Sequence, residues 1–506
     1  MASPKTEDHR PEAEAEAMAA GVEQKELYST EESAHEGNGV AVPILVGWEE
    51  PEEQDPANPL NWPARRKWGN IAQLSAITFL TPLSSSAFAP GVPLVMAEFN
   101  NYSPILATFV VSVFVLGFAT GPLLIAPLSE MYGRVRVYHV CNVLFVVFTV
   151  ACAVASSFGQ LLAFRFLAGF AGVATVTCGS GSIADMIPRE QRGMAISVWS
   201  SGPLLGPIVG PVIGGFLVEA KGWRWAFWLV AIVAGAFTLA GFFILQESYA
   251  PVLLERKARK LRESTGNTAY RSKLDTGKSN SEMLKEALIR PMKLLIFSPP
   301  VTLMSIYIAI LYGLSYILFT TFTFVFQEQY NFTASSAGLS FLGSGVGTLL
   351  GLFYGSLISD PVIKKAVKQK GVAEPEDRLT FIITIPATLA IPAGFFLYGW
   401  ATQMKLHFII AMIGNALNGF GTIAVLMCIQ TYLIDAYTQH AASVIAANAV
   451  LRSLLGALLP LFGLKVYDSL GLGWGNTLLG FLALAFAPLP WLFRVYGSRI
   501  RKRSGA

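Results

Sequence analysis

The sequence predicts an all-α membrane protein of twelve transmembrane helices, arranged as two pseudo-symmetric six-helix bundles. Three observations carry that prediction. Of 506 residues, 53% are apolar and only 14% charged, well under the roughly 25% charged share of a soluble domain; the mean hydropathy is +0.51. The apolar residues gather into twelve runs, each near the roughly 20 residues that a helix needs to cross a hydrocarbon core of about 30 Å. Parts of the first six runs recur in the last six. Such a composition excludes a soluble enzyme, a nucleic-acid binder and a disulfide-built secreted scaffold.

In chain order, the first 55 residues hold fifteen Asp/Glu against three Lys/Arg, a net charge of −12 set against +16 in the remainder. With few aromatics, residues 1–68 read as an acidic, disordered cytoplasmic tail. It lacks the basic and apolar regions of a cleaved signal peptide. The runs are 70–96, 104–128, 136–157, 159–185, 194–219 and 225–246, then 300–326, 335–358, 379–400, 405–432, 442–466 and 475–496. They form an N-terminal bundle, 69–247, and a C-terminal bundle, 299–497. Internal Gly and Pro are tolerated because neighbouring helices satisfy the freed backbone groups. The linker 248–298, with its ERKARKLRE segment, is basic; it serves as a positive-inside anchor or as a contact for lipid head groups or a kinase. A short basic tail, 498–506, follows. With both termini inside, 31 of the 37 Lys/Arg are cytoplasmic, and only Lys221, Arg224, Lys405 and Lys465 fall outside.

The repeat appears in two gap-free alignments. Gly117, Gly121, Ser129, Glu130 and Arg134 return 230 residues later as Gly347, Gly351, Ser359, Asp360 and Lys364. Gly169, Phe170, Cys178 and Asp185 return after 250 residues as Gly419, Phe420, Cys428 and Asp435. Two homologous bundles place a site between them near the bilayer midplane, with alternating access by rocking of one bundle against the other.

Two charges lie well inside spanners, Arg165 and Arg452. Each costs several kcal/mol there unless it faces a cavity or a partner. Arg452 binds substrate anions or hydrogen-bonds helix carbonyls. Asn415 occupies the repeat position of Arg165, and Asn418 lies one turn on. Tyr307, Tyr312 and Tyr316 either line the same cavity or pack between helices. No Asp or Glu sits mid-span, which argues against a polycationic cargo; Glu98 and Asp185 come nearest as proton carriers. Glu130, Gly133, Arg134 and Asp185, with Asp360 and Asp435 of the repeat, stand at the cytoplasmic ends of spanners, as a latch between states or as water-facing charges. The sequons at Asn101 and Asn331 occupy loops too short for glycosylation to be expected. Four cysteines lie in apolar runs as packed thiols, and the five His residues show no metal-ligand spacing.

Four stretches resemble the major facilitator superfamily, and within it the twelve-spanner drug:proton antiporters of fungi. They are NPLNWPARRKW (58–68), GPLLIAPLSEMYGR (121–134), RFLAGFAG (165–172) and GPLLGPIVGPVIGG (202–215). The last contains the antiporter motif as Gly206, Gly210, Pro211, Gly214 and Gly215. YLIDAY (432–437), AANAVLRS (446–453) and GSRIRKRS (497–504) are also similar to the fungal branch. Glu130 stands where the superfamily commonly has Asp, and Ala126 where it has Gly. The resemblance implies a major facilitator fold, an exporter rather than an importer, a part for Arg165 in proton coupling or substrate binding, and a monomer. Residues 202–215 either serve antiport or simply pack closely.

The expected function is proton-coupled export of a drug, toxin or secondary metabolite across the plasma membrane. The expected partners are a small-molecule substrate, protons and the bilayer, with no nucleic acid. No cofactor is expected, the proton gradient being the energy source; there is no phosphate-binding glycine loop for ATP. Export of a di- or tricarboxylate, clamped by the two arginines, is the alternative. Polyamine export and a non-transporting sensor rank below it.

Overall fold

The computed structural model describes residues 43–503 apart from 189–190, 276, 278, 371–373 and 439–440; the side chains at 280, 360, 369, 370, 502 and 503 also lie outside it. Within the described residues, eleven helical stretches are long and apolar enough to span a bilayer. Spanners one to six are Ala64–Glu98, Pro104–Tyr132, Arg134–Ala153, Phe158–Met186, Arg192–Lys221 and Arg224–Ile244. Spanners seven to ten are Pro299–Tyr330, Ala334–Lys368, Phe381–Gln403 and Phe408–Ala436. The eleventh stretch, Ala441–Arg501, has 61 residues, about 90 Å of helix at 1.5 Å per residue and far more than one crossing needs. It breaks at Gly471, whose φ of 75° and ψ of 169° are non-helical, a backbone region open to glycine. Residues 441–470 and 472–501 thus make spanners eleven and twelve, and the chain has the expected twelve.

The pseudo-symmetry is visible in which helices touch. Spanner one packs on five, two on four, and three on four and six; seven packs on eleven, eight on ten, and nine on ten and twelve. Across the halves, two meets eleven and five meets eight. Each contact thus has its counterpart six helices later. The repeated glycines sit at the closest approaches. A Cβ on Gly117 would strike the carbonyl of Phe166, and one on Gly347 that of Ala416. Gly169 and Gly419 meet the carbonyls of Phe114 and Ser344 in the same way. Gly355, next in the ladder of spanner eight, has open space where its Cβ would be.

Spanner ends on the face that carries both Ala64 and Arg501 are here called basal. The stretch 43–68, expected as part of a disordered tail, is structured. Asp55 accepts from the backbone N–H groups of Glu49 and Ala57 at 2.8 and 2.7 Å. The Asn58 side chain accepts from Leu60 N–H at 3.1 Å and starts the short 3-10 helix Pro59–Asn61. Trp62 then buries itself with Ile71, Ile183, Met186, Ile187 and Ala195, while Arg66 stacks on its ring at 3.6 Å. The linker contains helices Ala250–Thr265 and Asn280–Phe297. A separate small unit, 43–47 with Glu255–Lys273, pairs strand Ile44–Val46 in parallel with Tyr270–Ser272; Arg262 donates to the Tyr270 carbonyl at 2.7 Å.

Candidate functional site

A cavity of about 180 Å³ lies between the halves. The first half supplies one wall from spanner five: Pro203, Leu204, Pro207 and Ile208. Spanners seven, eight and ten supply the rest, including Tyr316, Phe319, Phe322, Phe341, Asn415 and Asn418. No charged side chain is among the lining residues. A void of about 10 Å³ abuts it and shares Tyr312, Thr422 and Leu426. The polar groups all belong to the second half. Ser315 Oγ donates to Asn418 Oδ1 at 3.0 Å and lies 3.1 Å from Thr422 Oγ1. Asn415 and Asn418 are 1% and 4% exposed. Both amide atoms of Asn415, and Asn418 Nδ2, have no hydrogen-bond partner among the described residues.

The structure gathers Tyr312, Tyr316, Asn415 and Asn418 around the cavity, but holds both arginines outside the lining. Arg165 is fully enclosed in the first half. Its Nε donates to the Val110 carbonyl at 2.6 Å, and its Nη2 to those of Ser85 and Val111 at 3.1 and 3.3 Å. The rings of Phe88, Phe114 and Phe227 surround it at 4.8, 5.4 and 5.7 Å. It thereby ties spanner four to spanners one and two. Arg452 stacks on the Tyr312 ring at 4.9 Å, behind the cavity wall; Tyr312 and Tyr316 are 4.8 Å apart by ring centroids. Tyr307 is buried in the core of the second half.

At the basal ends, Arg134 Nε reaches Asp185 Oδ2 at 3.4 Å and Nη1 reaches Ser129 Oγ at 2.9 Å. Gly133, at φ 98°, brings the chain so close to Glu247 that a Cβ would collide with its carboxylate. Glu247 accepts from the N–H groups of Arg134 and Val135 at 3.0 and 3.2 Å, a carboxylate at the start of spanner three where the helix dipole favours it. Glu130 is exposed, and its charge acts on Arg134 and Tyr249 of this cluster. Beneath Arg134, the Tyr249 ring lies at 4.7 Å, and burial pushes its hydroxyl above the usual range.

The second half repeats the arrangement with a different residue. Arg378, not Lys364, reaches Asp435 Oδ2 at 2.7 Å and Ser359 Oγ at 3.3 Å. Lys364 is exposed on spanner eight, whose helix runs on to Lys370. The extra turns displace the arginine in sequence while keeping it in place in space. Beside it, the buried Glu376 and Asp377 pair with Arg501 at 3.2 Å and Arg494 at 2.6 Å. Asp360 has its side chain outside the described ones. Sequence reasoning missed Arg378, Glu247, Glu376 and Asp377; a search for the repeat that allowed an insertion between spanners eight and nine would have found the first.

The glycines of 202–215 divide by face. Cβ atoms on Gly206 and Gly210 would meet the Phe79 and Leu83 carbonyls at 2.9 and 2.8 Å, and Gly214 abuts the Ala87 carbonyl. Gly215 instead faces Ala334 of spanner eight, where its Cβ would lie 2.5 Å from a carbonyl. Nearby, Glu219 accepts from Ser335 N–H at 3.0 Å, and Pro211 contributes a carbonyl against Gly338. Of the sequons, Asn101 Oδ1 accepts from Ser103 N–H at 3.0 Å, and Asn331 is a left-handed cap after spanner seven, φ 55°.

Residues 74–460 match the family profile of the Major Facilitator Superfamily. The chain is 50% identical to the MFS-type transporter tndD of Aspergillus flavipes over 96% of this chain and 90% of that one. It is 52% identical to the MFS-type transporter penM of Penicillium rubens, over 91% and 90%, and 48% identical to the efflux pump radE of Floropilus chiversii, over 91% and 85%. Among solved structures, a bacterial homologue of the human lysosomal transporter Spinster, inward-facing and unoccupied, superposes with a TM-score of 0.62 at 16% identity, covering 88% of this chain and 99% of that one. The Escherichia coli xylose transporter XylE, partially occluded and inward open, gives 0.60 at 16%, over 85% and 98%. A twelve-spanner fold with two like halves around an uncharged cavity, a profile match over most of its length and close fungal relatives together make the chain a multi-pass membrane transporter of the Major Facilitator Superfamily.

Proposed function

We propose that the protein is a proton-driven exporter of small uncharged or weakly acidic molecules, a toxin, drug or secondary metabolite, across the plasma membrane, with its basal face and both termini in the cytoplasm. The observation that carries this reading is the cavity beside spanner five, apolar and aromatic with no charged lining residue, as distinct from a larger one at the non-basal spanner ends that Glu328 and Asp468 help to line. A charged cargo entering it would lose its hydration without gaining a counter-ion. The likeness to an efflux pump supports the outward direction, and the positive-inside distribution supports the orientation. Rocking about the contacts of spanners two with eleven and five with eight alternates access. Asp185, held by Arg134 at the basal end, is the candidate proton carrier; Glu98 is engaged by Trp223 and Arg224 at 2.7 and 2.6 Å.

The test is release of labelled neutral lipophiles, dicarboxylates and spermidine from cells expressing or lacking the protein, with and without a protonophore. Protonophore-sensitive expulsion of the lipophiles supports the reading. Selective export of dicarboxylate overturns it in favour of an acid held by Arg452, and spermidine export overturns the argument from the uncharged cavity.

A further inference from the structure

We propose that Asn415 and Asn418 form a hydrogen-bonding edge that selects, among uncharged cargoes, flat aromatic molecules carrying two oxygen groups about one helical turn apart. This rests on the exporter reading and names the chemistry of its cargo. Asn415 and Asn418, at least 96% enclosed, line the cavity, and three of their amide atoms have no partner among the described residues. Turning the Asn415 amide over leaves the same vacancy, because its oxygen and nitrogen are both unpaired. A buried amide without partners is costly, and this cost is recovered when a ligand supplies them.

The edge offers both hydrogen-bonding senses. Asn418 Oδ1 is already engaged by Ser315, so Asn418 presents its N–H groups, while Asn415 can both donate and accept. Positions three apart on a helix face are about 5–6 Å from each other, the separation that the two oxygen groups of the ligand must match. Opposite and around this edge stand Tyr316, Phe319, Phe322 and Phe341, which accept a flat ring by offset or edge contact. Spanner five closes the remaining side with prolines and aliphatic carbons, which offer no competing hydrogen bonds. The corresponding position in the first half holds Arg165, whose Nε and Nη2 are given to three carbonyls and which is not among the lining residues, so the selecting edge belongs to one half alone.

Inside-out vesicles carrying the full chain, energised by a proton gradient, distinguish the outcomes. The probes are 5,7-dihydroxycoumarin, 5,7-dimethoxycoumarin and 5,7-dimethylcoumarin. The dihydroxy compound is expected to accumulate about tenfold faster than the dimethyl one, as two hydrogen bonds of ordinary strength require, with the dimethoxy compound between them. The double variant Asn415→Leu/Asn418→Leu should remove that preference while still carrying the dimethyl compound, which doubles as the folding control. If it carries nothing, Asn415→Thr and Asn418→Ser made singly must each lower the ratio. Equal transport of the dihydroxy and dimethyl compounds by the unaltered protein, or a ratio that the variants leave unchanged, overturns the selecting edge and leaves the exporter reading standing. Absence of gradient-driven uptake of all three overturns both.

Discussion

Spanners four and ten descend from the same repeat, yet they answer the problem of a polar residue at mid-membrane in opposite ways. In spanner four, Arg165 is turned into its own half, its Nε and Nη2 given to the carbonyls of Ser85, Val110 and Val111 and its flanks to three phenylalanines, with only Nη1 lacking a partner among the described residues. In spanner ten, Asn415 at the matching position lines the cavity with its amide unpaired among the described residues. A charge costs far more to leave unsatisfied than an amide does, so the guanidinium is committed to structure and the amide is left for a ligand. One half has become the strut and the other the reader, although the helices in both pack by the same plan.

Variants at these two positions give the largest contrast. Arg165→Ala is expected to abolish export and to destabilise by about 2–5 kcal/mol, as truncation of a large buried side chain does, because three carbonyls lose their donor. Arg165→Lys should recover only part of this, lacking the fork that reaches several acceptors. Asn415→Leu should leave thermal stability unchanged or raise it by about 1 kcal/mol, since it removes an unpaired buried amide. Thermal unfolding of the purified protein in lipid nanodiscs measures all three; a loss for Asn415→Leu as large as that for Arg165→Ala would break the comparison.

The basal ion pairs sharpen it at smaller scale. Removing Arg134 leaves Asp185, only 19% exposed, without its guanidinium, and a cost of about 3 kcal/mol is expected for breaking an enclosed pair. Arg378→Ala should cost no more than about 1 kcal/mol through Asp435, whose side chain is 38% exposed and screened by water. Smallest of all is the effect expected at Gly355 of spanner eight. Gly355→Ala meets open space and is expected within about 0.5 kcal/mol of neutral, whereas Gly347→Ala must push against the Ala416 backbone and should lower the unfolding temperature measurably.

Much of the fold was legible in the sequence, because lipid forces every crossing to be a long apolar helix and the repeat fixes how crossings pair. The break at Gly471 shows how firmly: an unbroken helical assignment across it still resolves into two crossings by length alone. The site was half legible. Asn415 could be picked out as the repeat partner of Arg165, but nothing in the spacing says that the arginine would be absorbed by carbonyls on spanners one and two. Arg378 was hidden by the extension of spanner eight to Lys370. Glu247 was hidden for another reason. It acts on the start of a helix 113 residues earlier, and a carboxylate at a helix start leaves no local pattern. The ordered stretch 43–63 was masked by its acidic composition, although Asp55 and Asn58 act through backbone N–H groups rather than through net charge.

The central claim is that cargo is held in the second half, away from Arg165. Its most direct test replaces the four native cysteines and follows alkylation of Thr422→Cys, on the cavity wall, and of Val111→Cys, beside Arg165, with and without a neutral coumarin that the cells export. The account predicts that the exported compound slows alkylation of Thr422→Cys and leaves Val111→Cys untouched. Protection of Val111→Cys with none at Thr422→Cys would contradict it.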